Sequence, residues 1–133
     1  MKHSALAAIA ALAAGCAMEA PVEDAAYEPE GRVAEALAGR TAGEPVDCVD
    51  MRQLRSNRSL GDNAMLFEGP GDIVYLNRPS GGCQSLEFGR SLRTRTTSTR
   101  LCRGDIVTVF DPVSGVEYGG CGLGDFVPYR RPR

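Results

Sequence analysis

Apolar residues fall along this chain in short runs, and the character of the runs changes twice. Ser4 to Ala14 is almost all Ala, Leu and Ile. It is too short to cross a bilayer as a helix, which needs about 20 residues. Behind the basic start Met1-Lys2-His3 it matches the apolar region of a signal peptide. Between residues 16 and 45 apolar positions thin out. Val33 and Leu37, four apart inside Gly31–Gly39, predict a short helix over 32–38 ended by glycine. A transient helix in a linker is the plainer reading of that stretch. From about Val46 onward, apolar and β-branched runs alternate with Gly, Pro and Asp. Ala64–Glu68 and Ile73–Asn77 flank Gly69-Pro70-Gly71-Asp72, which is a hairpin signal. Leu92–Thr99 suits a more exposed strand. Ile106–Phe110 is the strongest strand pattern, turning at Asp111–Gly115 and returning through Val116–Tyr118. Cys48–Leu54 completes the set. The expected fold is all-β, a small antiparallel barrel or sandwich of five to six strands.

Charge divides the chain at the same place. Residues 16–45 carry seven carboxylates against Arg32 and Arg40, while 46–133 carry ten against twelve arginines, a net of +2. The acidic part, rich in Ala, Glu, Pro and Gly, has too little apolar surface to offset its ordering entropy. The division expected is therefore a signal peptide over 1–15, an acidic tether over 16–45 and a small β domain over 46–133.

Five cysteines are an odd number for an exported protein. Leu12-Ala13-Ala14-Gly15-Cys16 resembles the lipobox at which a bacterial lipoprotein is cut before an acylated cysteine. With Cys16 as lipid carrier, four cysteines remain, and an oxidising compartment pairs them as two disulfides. An ordinary secretory signal cut nearby would instead leave Cys16 lost or free. If the strands run up and down, Cys48 and Cys102 meet at one end, leaving Cys83–Cys121; the two other pairings stay open. Ala17, not Asp, follows Cys16, which resembles outer-membrane sorting. The expected location is thus the periplasmic face of the outer membrane, with a soluble periplasmic protein as the alternative. The lipid anchor makes the membrane one partner.

Removing residues 1–15 takes away Lys2 and His3, the only lysine and the only histidine. Histidine-based nucleophilic catalysis, histidine metal ligation, Schiff-base chemistry and a P-loop lysine go with them. No cofactor and no metal is expected. Gly119-Gly120-Cys121-Gly122-Leu123-Gly124 reads as turn glycines around a disulfide rather than a phosphate loop. Asp105, Asp111, Glu117 and Asp125 could in principle serve carboxylate-dependent glycan hydrolysis, but their spacing marks no pair. The expectation is a protein that is not an enzyme.

Arg90, Arg93, Arg95, Arg100 and Arg103 form the densest charged stretch. Arg93, Arg95, Arg100 and Arg103 are candidates for binding an anionic glycolipid or an acidic envelope protein, since guanidinium forks match oxyanions. A solvated strand face is the plainer reading, favoured by the small net charge. Nucleic acid is not expected, because aromatic residues are not interleaved.

Three stretches carry a family resemblance: Val74-Tyr75-Leu76-Asn77-Arg78-Pro79-Ser80-Gly81-Gly82-Cys83, Leu101-Cys102-Arg103-Gly104-Asp105-Ile106-Val107 and Leu123-Gly124-Asp125-Phe126-Val127-Pro128-Tyr129. They resemble a family of small exported proteins of unknown function, lipoproteins or periplasmic, from sphingomonad-type alphaproteobacteria, over roughly 38–131. The resemblance implies no activity. The function expected is a non-enzymatic envelope lipoprotein that binds a partner or supports an assembly. The alternative is an inhibitor of a hydrolase such as lysozyme, by analogy of architecture.

Overall fold

The computed structural model describes residues 29–61, 63–86 and 90–133. The expected signal peptide, Cys16 and the first part of the acidic segment lie outside the described residues. Among the described residues, one short helix, α1 (Pro29–Ala36), precedes ten strands: β1 (Thr41–Ala42), β2 (Cys48–Asp50), β3 (Ser56–Ser59), β4 (Met65–Glu68), β5 (Val74–Asn77), β6 (Ser91–Thr94), β7 (Arg100–Cys102), β8 (Ile106–Phe110), β9 (Glu117–Gly122) and β10 (Phe126–Arg130). The fold is all-β and antiparallel, with sheets β1-β10-β5-β4-β3, β2-β7 and β6-β8-β9. None of these sheets closes on itself, so the arrangement is sandwich-like rather than a barrel.

Ten strands replace the expected five or six, for local reasons. β3 is polar along its length, and β10 contains Pro128, so neither shows apolar alternation. Pro128 is tolerated because its carbonyl accepts from Gly43 N–H at 2.7 Å. A residue's N–H and C=O leave a strand on the same side, so the missing donor also faces Gly43 and the ladder to β5 stays whole. Other expected strands stop early. Asp50 accepts from Arg52 N–H and turns the chain after β2 into a 3-10 turn over Met51–Gln53. After β6, Thr96 accepts from Ser98 N–H and Ser98 from Arg100 N–H, local bonds that compete with a ladder.

The β4–β5 hairpin forms around the Gly69–Asp72 turn, with Gly71 at φ 62°. Its strands are buried on both faces. Met65 and Phe67 point into one core with Phe126, Val107, Val109 and Leu101. Phe67 and Tyr75 meet the Phe126 ring edge-on, at 5.6 and 6.4 Å between centroids. Leu66, Val74 and Leu76 point the other way and pack with Val33 and Leu37 of α1 and its exit. The layers are therefore helix, five-stranded sheet, then the two smaller sheets.

This packing moves the folded boundary. The helix spans 29–36 rather than 32–38 and is docked, with Val33 and Leu37 buried. Gly39 at φ 73° ends the turn that follows it. Thr41 and Ala42 then pair with Arg130 and Tyr129, and Arg40 donates to the Asp72 carbonyl of the hairpin turn. Residues 29–45, assigned to the tether by composition, belong to the folded body.

Two disulfides cross-link it. Cys48 joins Cys102 across the β2–β7 pair, where the two residues are register partners. Cys83 joins Cys121, and both are buried in the larger core.

Candidate functional site

The sheet β6-β8-β9 turns one face inward and the other to solvent. Val107 and Val109 alternate inward along β8, which leaves Ile106, Thr108 and Phe110 on the outer face. Ile106 stays 64% exposed because its neighbours on β9 are glycines; a Cβ on Gly120 would lie 3.0 Å from its side chain. These glycines are strand positions, not the turn expected of them, although Gly119 at φ 99° does sit at a register shift opposite β8.

The four candidate arginines are divided over three places. Arg93 and Arg95 both donate to Glu117 Oε1, at 3.1 and 2.7 Å. Arg93 also lies 4.4 Å above the Phe110 ring, and Arg90 lies 3.5 Å above Tyr118. The outer face therefore carries one guanidinium-on-ring stack, Arg93 on Phe110, beside the carboxylate that Arg93 shares with Arg95. Arg103 sits in the β7–β8 turn, between Asp125 at 3.1 Å and Asp47 at 3.6 Å. Arg100 is on β7, exposed, close enough to Asp50 to act on its charge.

The four candidate carboxylates are all engaged. Asp105 accepts from Cys102 N–H at 2.8 Å, Glu117 bridges two arginines, and Asp125 pairs with Arg103. Asp111 Oδ1 accepts from Val113 N–H at 2.7 Å and Ser114 N–H at 3.2 Å. Those bonds, Val113's first, hold its carboxyl below the usual range. Asp50 is lowered to about 2, chiefly by the side-chain hydrogen bonds from Arg52 and then by its backbone N–H. Both shifts oppose what a general acid needs near neutral pH. Among the described residues, no three His, Cys, Asp or Glu side chains come together to hold a metal.

Beside the outer face lies a groove of about 520 Å³ between the end of β6 and the β7–β8 turn. Thr94, Thr96, Thr97 and Thr108 line it with hydroxyls, Arg95 and Asp105 supply one charge of each sign, and Ile106 an apolar wall. Such a lining suits an uncharged polar ligand better than a polyanion.

The sequence marks Asp111–Gly115 only as a turn. In the structure it is a heavily bonded tip with Val113 94% exposed at its apex. The signal was present in the sequence: an Asp that can accept two N–H groups, then Pro, then a valine with no strand neighbour to bury it.

The model of one protein family, described as a family of unknown function (DUF6491), matches residues 1–121 of the chain. No curated protein and no solved structure matches it.

Proposed function

The chain belongs to the DUF6491 family, whose function is unknown, and we propose from the chain's own residues that it is an exported, lipid-anchored envelope protein that acts by binding. The observation that carries this reading is the employment of the carboxylates. Asp105, Asp111, Glu117 and Asp125 each hold a turn or an ion pair, so a hydrolytic role would dismantle the scaffold that positions it. Export is supported by the apolar stretch at 4–14 and by the two disulfides, which suit an oxidising compartment. Acylation of Cys16 is supported by its lipobox-like setting and by the pairing of the other four cysteines with one another. The periplasmic face of the outer membrane is the location that Ala17 favours.

The partner is an envelope protein rather than the phosphates of an anionic glycolipid. Three of the four candidate arginines already face carboxylates, which lowers the attraction of the surface for polyanions. A second reading, inhibition of a hydrolase, is favoured by the pre-ordered tip at Val113.

Fractionation of cells tests the anchored reading. The wild-type chain should sediment with outer membranes and be released only by detergent, and Cys16→Ser should appear in the soluble periplasmic fraction. A wild-type chain recovered in the soluble fraction would contradict the proposal.

A further inference from the structure

Four of the chain's six threonines, Thr94, Thr96, Thr97 and Thr108, line one groove. The pairing of the strands opens it. β6 runs beside β8 as far as the Thr94–Val107 pair and then departs, so the start of β8 loses its neighbour on that side. Among the described residues, no other strand takes that place in the sheet. The departing chain carries Thr96 and Thr97 along one wall, β8 supplies Ile106 and Thr108, and the β7–β8 turn closes the other side with Gly104 and Asp105. The volume of about 520 Å³ is that of a small-ligand site.

The fold leaves most of the hydrogen-bonding capacity of this lining unspent. Among the described residues, the Thr97 and Thr108 hydroxyls bond to no protein group. Thr96 Oγ1 accepts from Ser98 N–H at 3.1 Å and keeps its own O–H to donate. Thr94 Oγ1 reaches only the Met51 sulfur, a weak acceptor, at 3.9 Å. Asp105 spends Oδ2 on Cys102 N–H and keeps Oδ1, and Arg95 spends one nitrogen on Glu117 and keeps its remaining N–H groups. Charge is balanced. Arg95 and Asp105 bring one charge of each sign, and Glu117 and Arg93 beside Arg95 add another such pair. No net charge therefore selects an ion.

We propose that this groove binds a neutral saccharide, with the hydroxyls of Thr94, Thr96, Thr97 and Thr108 on its polar edge and Ile106 against its C–H face. The ligand class follows from the lining. A hydroxyl both donates and accepts, so a row of them matches a ligand whose own groups do both. Asp105 Oδ1 and the Arg95 guanidinium add a pure acceptor and a pure donor. Ile106, 64% exposed beside Gly120 and Gly122, offers the flat apolar contact that a sugar ring needs. A peptide would need apolar pockets for alternate side chains. Leu101, the other apolar residue of the lining, is 2% exposed and offers none. This inference goes beyond the protein-binding reading and does not depend on it.

Threonine-methyl NMR of the full chain, in a detergent without a sugar headgroup, tests the proposal. The probes are the N-acetylglucosamine trimer, maltotriose and cellotriose. At least one should shift the methyl signals of Thr94, Thr96, Thr97 and Thr108 in a saturable way and leave those of Thr41 and Thr99 in place. Thr97→Val and Thr108→Val keep the shape of the side chain and remove hydroxyls that the fold does not use. Each should weaken binding about fivefold, the effect of one neutral hydrogen bond, with an unchanged thermal midpoint. Thr99→Val, outside the groove, should leave binding as it is. The cationic glucosamine trimer and the anionic galacturonic acid trimer should bind more weakly than the best neutral sugar, and so should an alanine tripeptide capped at both ends. Absence of shifts with all the neutral sugars, tighter binding of a charged sugar or of the peptide, or binding that neither Thr97→Val nor Thr108→Val weakens overturns the proposal.

Discussion

Replacing Asn77 by Ala would remove a donor and an acceptor from a place that water does not reach. Asn77 is fully buried, and among the described residues it is the one polar side chain in the core. Its amide donates to the Gly124 carbonyl at 2.8 Å and accepts from Gly124 N–H at 2.9 Å, so it closes the β9–β10 connection from inside. Gly124 can be no other residue, because a Cβ there would lie 2.2 Å from the Arg78 carbonyl oxygen. Asn77→Ala should therefore cost about 1–3 kcal/mol, read by urea unfolding, since it leaves two buried backbone groups unpaired. Asp50 offers a surface counterpart. Its folded pKa of about 2 lies below the usual 3.8, so any stabilisation it provides is present above about pH 4 and is lost as pH falls toward 2. Solvent screens this exposed pair, so the effect belongs to the titration rather than to the melting curve. Carboxyl NMR should place the Asp50 midpoint near 2 in the wild type, and Arg52→Ala should return it toward 3.8.

At the scale of elements, the docked helix shows what the sequence contained and what composition concealed. Ala64-Met65-Leu66-Phe67 has no polar alternation, and a strand buried throughout needs cover on both faces. The smaller sheets cover one face; α1 covers the other. The Val33–Leu37 spacing was legible, but the acidic, aromatic-poor surroundings hid the docking, which depends on a surface built 30 residues later. The β4–β5 hairpin was legible because Gly and Pro mark its turn. β3 and β10 were not, and β9 only in its first residues, because their pairing is set by partners rather than by their own periodicity. The arginine cluster misled for a related reason: proximity in sequence placed together side chains that the fold divides between a sheet face and a turn. Leu37→Ala should cost about 2 kcal/mol and raise amide exchange over 33–40 before the rest of the body. Exchange unchanged in that segment would contradict the docking.

For the whole molecule, the cross-links are interleaved. Cys48–Cys102 closes 54 residues and Cys83–Cys121 closes 38, and each loop contains one end of the other. By the chain-entropy model each closure contributes about 4 kcal/mol, a large share of what a body this small can gather. Cross-links, ion-paired carboxylates and bonded turns together hold the β8–β9 hairpin rigidly. The proposed anchor requires the five cysteines to divide into one acylated residue and two structural bridges. Intact mass spectrometry of the chain extracted from membranes, before and after alkylation without reductant, tests it most directly. The expected result is a chain beginning at an acylated Cys16, with no thiol open to alkylation. An alkylated cysteine, or a chain whose Cys16 carries no lipid, would contradict it.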